Sequence, residues 1–300
     1  MSDCSFQQLA AEADENNSLD FRKFSQLVVL PHSVFALPFA LASLVLALRQ
    51  PDALELTAVK AVFVLIALVS ARTAAMAFNR LVDADIDAKN PRTSDRHIPR
   101  GTLTTKSVRA LVILSSAVFV ISAGFLGLHC LVLSPIVLGV LLGYSLTKRF
   151  TSMSHLFLGL ALALAPGGAW WVLVPRVDAV PLLLMGAVLC WVAGFDVLYS
   201  CQDQDFDSRQ GLHSIPARFG LAGALRLSIA FHLLATVLFF SVGFAASLGT
   251  TYYVGLACIT AVLLGQHRLV SADDLSRVNR AFFTFNGIVS VAFFLLVLAA

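Results

Sequence analysis

Charged residues are scarce in this sequence. Asp, Glu, Lys and Arg make up 13% of its 300 residues, whereas about 25% is usual for a soluble domain. Hydrophobic residues make up 58%. A larger core does not account for this imbalance, because a larger core still needs a wetted surface. A lipid-facing surface removes that need, so the composition predicts an integral membrane protein in a lipid bilayer.

Cysteine is also sparse. The five cysteines are scattered, and no two have metal-ligand spacing, so we interpret them as apolar fillers and free thiols: Cys4, Cys130, Cys190, Cys201 and Cys258. The net charge of +3 is small, and we expect no nucleic-acid partner. The histidines His32, His129, His155 and His232 are isolated in the sequence, and we interpret them as packing or turn residues.

We expect no secretory signal at the N-terminus, since no basic region opens the sequence and acidic residues are spread through its first 20 positions. We expect residues 1–24 to form a cytoplasmic polar tail and residues 25–300 to form a single transmembrane domain. A bilayer core of about 30 Å needs roughly 20 apolar residues in a helix. Nine apolar runs meet this need approximately: 26–48, 56–78, 107–127, 130–147, 154–175, 181–200, 221–246, 250–266 and 280–300.

The fold class predicted from these runs is an all-α bundle of nine transmembrane helices, because only helices satisfy the backbone along such runs in lipid. Nine alternating spans place most Lys and Arg on one side. The opposite side holds only Arg49, Lys60 and Arg176. The positive-inside rule then predicts a cytoplasmic N-terminus and a cytoplasmic location for the connections after spans two, four and six.

The connection after span two carries an unusual acidic pattern. Asn79, Asp83 and Asp87 follow one another at four-residue intervals, so a continuing helix would place them on one face. Two carboxylates there repel each other and oppose the helix dipole. A divalent cation would reverse this repulsion, and hard oxygen ligands suit Mg²⁺ shared with substrate phosphates.

The connection after span six repeats the pattern. Asp203 and Asp207 lie 120 positions after Asp83 and Asp87, and Asp196 and Tyr199 fall on the same helical face. This recurrence indicates a duplicated four-helix unit, so the bundle is expected to consist of two four-helix pseudo-repeats plus one helix. The two acidic clusters would then face each other.

Two opposed Mg²⁺ sites suit a diphosphate, which they would make a better leaving group. Loss of an allylic diphosphate leaves a carbocation, which needs a water-poor apolar chamber such as a membrane bundle provides. Basic residues of the loops would complete the anion site: Arg92, Arg96, Lys148 and Arg149. For Lys148 and Arg149, a plain role as positive-inside anchors stays open, as does a structural salt bridge for Arg72. A transporter with cytoplasmic metal sites is a competing interpretation.

At this point the motifs carry a family resemblance. Asn79-x-x-x-Asp83-x-x-x-Asp87 with Arg92-Thr93-x-x-Arg96, and Asp196-x-x-Tyr199-x-x-x-Asp203-x-x-x-Asp207, resemble the paired signatures of the UbiA superfamily of intramembrane prenyltransferases. Tyr144-x-x-x-Lys148-Arg149 resembles a further family segment. The resemblance implies nine transmembrane helices, Mg²⁺ dependence and transfer of a polyprenyl chain from its diphosphate. It implies that Asn79, Asp83 and Asp87 hold one Mg²⁺-diphosphate and that Asp203 and Asp207, supported by Asp196 and Tyr199, hold the other.

Within the superfamily, the segment Gly211-Leu-His-Ser-Ile-Pro-Ala-Arg-Phe-Gly220 resembles the bacterial branch of 4-hydroxybenzoate polyprenyltransferases, which includes the naphthoate prenyltransferases of menaquinone synthesis. The resemblance implies an enzyme of respiratory quinone synthesis in the bacterial inner membrane, with its active site facing the cytoplasm. Its acceptor would be an aromatic hydroxy acid, 4-hydroxybenzoate or 1,4-dihydroxy-6-naphthoate, with Arg72 as the candidate carboxylate-binding residue. A haem or chlorophyll prenyltransferase of the same superfamily stays open as an alternative.

Overall fold

The structure, a computed structural model, describes residues 35–300, and every regular element in that range is helical. The predicted tail and the start of the first predicted span lie outside the described residues. The α-helices are α1 (Leu37–Leu48), α2 (Ala58–Val82), α3 (Ala84–Lys89), α4 (Thr105–Leu126), α5 (Leu128–Thr147), α6 (Ser154–Leu173), α7 (Ala179–Ser200), α8 (Gln204–Gln210), α9 (Ile215–Ala245), α10 (Thr250–Gly265), α11 (Val278–Arg280) and α12 (Asn286–Ala299). Short 3₁₀ turns occupy Cys201–Asp203 and Gln266–Leu269, and a π-helical turn occupies Ala281–Phe285.

Seven helices in residues 35–300 are long and apolar enough to cross a membrane. They correspond to the second to seventh and the ninth predicted spans. The eighth predicted span is present as α10, whose 16 residues fall short of a full crossing. The described part of the first predicted span contains α1, with 12 residues. The all-helical membrane architecture is therefore confirmed.

Local capping explains where several helices begin. The hydroxyl of Thr104 accepts a hydrogen bond from the Ser107 amide at 3.1 Å, at the start of α4. The hydroxyl of Ser214 accepts one from the Ala217 amide at 3.3 Å, at the start of α9. Side-chain oxygens at this position satisfy amides that have no partner inside the helix. Both caps lie at the ends of the polar connections, so they fix where each connection stops.

The core forms around α7, which packs against α6 and α9. Aromatic rings fill the centre, among them the fully buried Trp170, Trp191 and Phe239. Large apolar side chains also point outward, such as Phe244 with 80% of its surface exposed. In water such exposure would be costly, whereas in a bilayer it is the expected lipid-facing surface.

The two acidic connections share an unusual backbone form. Both α2 and the helical segment that begins with α7 are interrupted at an aspartate, and a short helix then continues the chain. Asp83 has φ −94° and ψ 5°, and Asp203 has φ −101° and ψ 5°. The short helices that follow, α3 and α8, begin 120 positions apart, as the aspartates do.

Candidate functional site

A cavity of about 760 Å³ lies between α2, α5, α6 and α7, with the two acidic connections at one end of it. Its wall is largely apolar, and its polar part comes from the connections and the adjacent helix ends. All twelve residues selected from the sequence line this cavity: Arg72, Asn79, Asp83, Asp87, Arg92, Arg96, Lys148, Arg149, Asp196, Tyr199, Asp203 and Asp207. The structure thus brings together residues that the sequence separates by up to 135 positions (207 minus 72).

The first acidic cluster keeps helical spacing across the break at Asp83. The Asp83 amide donates to the Asn79 carbonyl at 3.0 Å, and the Asp87 amide donates to the Asp83 carbonyl at 2.7 Å. The Asn79 side-chain amide donates to Asp83 Oδ2 at 2.8 Å. The three side chains therefore lie along one edge of the cavity although α2 itself ends at Val82.

Each of the four motif aspartates is paired with a basic side chain. Arg149 Nη2 lies 3.2 Å from Asp83 Oδ1. Arg96 Nη1 donates to both oxygens of Asp87 at 2.7 Å. The other two pairs are Arg92 with Asp203 at 2.6 Å and Lys148 with Asp207 at 2.8 Å. The four cations predicted to bind diphosphate are thus already beside the four aspartates predicted to bind metal.

One of these pairs joins the two connections. Arg92 Nε and Nη2 donate to Asp203 Oδ1 and Oδ2 at 2.9 and 2.6 Å, which is the two-point geometry typical of Arg with a carboxylate. Arg92 Nη1 also donates to the Tyr199 hydroxyl at 3.1 Å. Asn90 Nδ2 donates to Asp203 Oδ1 at 3.1 Å. Asn90 carries no signal of this role in the sequence, because nothing local links it to a residue 113 positions away.

Asp207 is in the most unusual environment of the four. Its side chain is completely buried, and its Oδ1 accepts no hydrogen bond from residues 35–300. The Lys148 ammonium lies 2.8 Å from Oδ2, so its ion pair with Asp207 supplies the charge compensation for this carboxylate. A buried carboxylate with unused lone pairs is costly. It is also a suitable hard ligand for Mg²⁺.

The donor set fits Mg²⁺ on chemical grounds. Asn79 and the four aspartates supply amide and carboxylate oxygens at one end of the cavity. Within residues 35–300, no group of three His, Cys, Asp or Glu side chains forms a metal site by itself. Mg²⁺ commonly binds one or two carboxylates and completes its shell with water and substrate phosphate oxygens. Pairs of aspartates, rather than a closed cage, are therefore compatible with a shared Mg²⁺-diphosphate site.

The electrostatics of Asp83 agree with a cation-binding position. Burial raises the pKa of Asp83, the neighbouring Asp87 raises it further, and Arg149 lowers it. The ionised form of Asp83 is thus disfavoured by its surroundings. A bound divalent cation would stabilise that form.

Arg72 lies deeper in the cavity. It precedes Asp83 by eleven residues on α2, which corresponds to roughly 16 Å along a helix. It also lines the cavity. The distance leaves space between Arg72 and the aspartates for a substrate.

The interpretation of His155 as an isolated packing residue is wrong. Its Nδ1 lies 2.6 Å from Asp196 Oδ2, and its Nε2 accepts a hydrogen bond from the Ile215 amide at 3.3 Å. His129 and His232 are also hydrogen-bonded, to the Trp171 carbonyl and to His267 respectively. These partners come from distant segments, so the sequence held no signal for them. His32 lies outside the described residues.

The comparisons with known proteins show the family of this chain. The UbiA prenyltransferase family matches residues 36–295. The 4-hydroxybenzoate octaprenyltransferase of Nitrosospira multiformis is 30% identical over 214 residues, which cover 70% of this chain and 72% of that protein. The 4-hydroxybenzoate octaprenyltransferase of Shewanella sediminis is 29% identical over 252 residues, which cover 83% and 85%.

Solved structures give the same result. A UbiA homolog from Aeropyrum pernix K1, solved in its apo form, superposes with a TM-score of 0.76 and 33% identity, covering 89% of this chain and 96% of that one. A UbiA homolog from Archaeoglobus fulgidus bound to GPP and Mg²⁺ has the same fold, with a TM-score of 0.68 and 18% identity, covering 92% and 98%. The chain therefore belongs to the UbiA prenyltransferase family.

Proposed function

We propose that this prenyltransferase moves a polyprenyl chain from its diphosphate to an aromatic hydroxy acid, in a Mg²⁺-dependent reaction of respiratory quinone synthesis. One observation carries the proposal: four aspartates and four basic side chains from three connections form ion pairs around one end of a largely apolar cavity. Such an end suits a diphosphate, and the apolar part suits a prenyl chain and an aromatic ring. The names of the relatives from Nitrosospira and Shewanella, and the GPP and Mg²⁺ bound to the Archaeoglobus homolog, support it.

The proposed binding step exchanges ion-pair partners. Without substrate, Arg92, Arg96, Lys148 and Arg149 neutralise the aspartates. When the diphosphate enters, these cations turn toward its oxygens, and Asn79 and the aspartates are then free to act as the residues that would hold Mg²⁺. Bound Mg²⁺ would supply positive charge that makes the diphosphate a better leaving group. These cations then stabilise the negative charge that develops on the departing diphosphate, and such electrostatic stabilisation is usually the largest single contribution to catalysis.

The proposed transfer step takes place in the apolar part of the cavity. The bond between C1 of the prenyl chain and the diphosphate oxygen breaks, and its electron pair leaves with the diphosphate. A ring carbon of the acceptor attacks C1, and the ring then loses a proton. Arg72 would hold the acceptor carboxylate at the far end, away from the diphosphate. Water is kept out by the apolar wall, which protects the allylic cation.

The proposed topology follows the sequence prediction: nine spans, built as two four-helix pseudo-repeats plus one helix, with the site on the cytoplasmic side of a bacterial inner membrane. The matched backbone breaks at Asp83 and Asp203 support the repeat. Membership of a prenyltransferase family disfavours the transporter interpretation. The names of the relatives favour quinone synthesis over haem or chlorophyll synthesis.

Product analysis tests the proposal. Membranes containing the protein are incubated with Mg²⁺ and labelled polyprenyl diphosphate, and separately with 4-hydroxybenzoate or 1,4-dihydroxy-6-naphthoate. We expect a labelled prenyl group attached to a ring carbon of one acid. Membranes without the protein serve as the control. Absence of product with both acids would refute the proposed acceptor class.

A further inference from the structure

The His155–Asp196 pair differs from the other acidic pairs in the cavity. Each motif aspartate lies within 3.2 Å of a Lys or Arg nitrogen. Asp196 instead pairs with His155, and both side chains line the cavity. Protonation of any motif aspartate would break its ion pair with Lys or Arg and would place the proton in the expected metal and diphosphate site. Within residues 35–300, no Lys or Arg forms an ion pair with Asp196, so its protonation breaks no such pair.

The hydrogen bonds define the tautomer of His155. Because Nε2 accepts the Ile215 amide hydrogen, that nitrogen carries no proton. The ring is then neutral with its proton on Nδ1, which donates to Asp196 Oδ2 at 2.6 Å. The imidazole is 2% exposed, so its position is fixed by packing as well. One oxygen of Asp196 is held in this way, while the side chain keeps 23% of its surface open.

Asp196 also lies at a different depth from the motif aspartates. It precedes Asp203 by seven residues, which places it roughly 10 Å further along α7, away from the diphosphate end. Phe195, Tyr199 and Phe282 line the cavity beside it. This is the level at which an aromatic acceptor would meet C1 of the prenyl chain, between the diphosphate end and Arg72.

Resting on the proposed function, we propose that Asp196 is the proton acceptor of the transfer step and that His155 is the residue that positions it. The new carbon–carbon bond forms between the acceptor ring and C1, and the C1–oxygen bond breaks with its electrons on the diphosphate. The proton on the attacked ring carbon passes to Asp196, and the ring regains its aromatic electrons. Asp196 later returns the proton to water. This role replaces the support of the diphosphate site expected for Asp196 from the family resemblance.

The principal test is Asp196→Asn. Asparagine keeps the size of the side chain, and its oxygen still accepts from His155 Nδ1, so the fold should be retained. We expect formation of prenylated aromatic product to fall about 10²- to 10⁴-fold, the usual contribution of general acid–base catalysis. Affinity for labelled polyprenyl diphosphate should not change. Loss of that affinity in parallel with product would instead support a diphosphate role and overturn the inference.

Variants of His155 test the positioning role. In His155→Gln, the amide can accept from the Ile215 backbone and donate to Asp196, so we expect most activity to be kept. His155→Ala removes both hydrogen bonds and should slow product formation. It should also reveal a deuterium isotope effect with a ring-deuterated acceptor, because proton removal becomes limiting. His129→Ala is the matched control, because His129 bonds the Trp171 carbonyl and does not contact Asp196. It should change neither the rate of product formation nor the isotope effect.

The outcomes separate this inference from the proposed function. Wild-type protein that yields no prenylated acid would overturn the proposed function and this inference with it. Wild-type product with undiminished activity in Asp196→Asn would overturn the inference alone. The positioning role of His155 would be refuted by either of two results. One is an isotope effect in His155→Ala equal to that of the wild type, and the other is product formation in His155→Gln as slow as in His155→Ala.

Discussion

Replacing Lys148 with methionine should destabilise the protein more than any comparable change among the basic residues of the site. Lys148→Met keeps the length of the side chain but leaves the Asp207 carboxylate buried with neither a hydrogen bond nor a counter-charge. Removing one partner of a buried ion pair typically costs about 3–5 kcal/mol. Because the Lys148 side chain is 34% exposed and water screens part of the attraction, we expect about 2–3 kcal/mol.

Arg149→Met is the matched control. Arg149 and its partner Asp83 are 42% and 22% exposed, so loss of this pair should cost only about 0–1 kcal/mol. Thermal unfolding in detergent without Mg²⁺ measures both variants. The double variant Lys148→Met/Asp207→Asn should recover most of the lost stability, because it leaves no uncompensated charge. Equal destabilisation in the two single variants, or no recovery in the double variant, would refute the described environment of Asp207.

Three further predictions concern the cavity. Arg92→Ala should weaken binding of polyprenyl diphosphate, measured by titration with the labelled compound, whereas Arg100→Ala, which removes an exposed pair with Asp95, should not. Because the folded protein raises the pKa of Asp83, the Mg²⁺-free protein should gain stability as pH falls through that pKa, where the unfavourable charge is lost. Asp83→Asn should therefore raise the unfolding temperature at neutral pH, and this advantage should shrink as the pH is lowered. Arg72→Met should raise KM for the aromatic acid and leave KM for the diphosphate unchanged.

The acidic clusters could be predicted from the sequence because their spacing is local and occurs twice. Four-residue spacing places Asn79, Asp83 and Asp87 on one edge, and the hydrogen bonds across the break at Asp83 preserve that arrangement. The offset of 120 positions reappears as matched backbone angles at Asp83 and Asp203. A periodic pattern of this kind depends only on helix geometry, so it can be recognised in the sequence before the fold is known.

Partners across the cavity could not be predicted in the same way. The bonds from Asn90 to Asp203 and from His155 to Asp196 join residues 113 and 41 positions apart. Each depends on how a loop or a helix packs, and no periodicity or spacing encodes that. His155 therefore looked isolated in the sequence, although the structure places it against a cavity carboxylate.

The measurement that tests the central claim most directly is Mg²⁺-dependent diphosphate release from polyprenyl diphosphate and an aromatic acid. It is made on membranes that contain the wild type, Asp83→Ala or Asp203→Ala at matched protein levels. The two aspartates lie on opposite connections of one cavity. The account predicts release that requires Mg²⁺ in the wild type and is abolished in both variants. Release without Mg²⁺, or retained release in either variant, would contradict it.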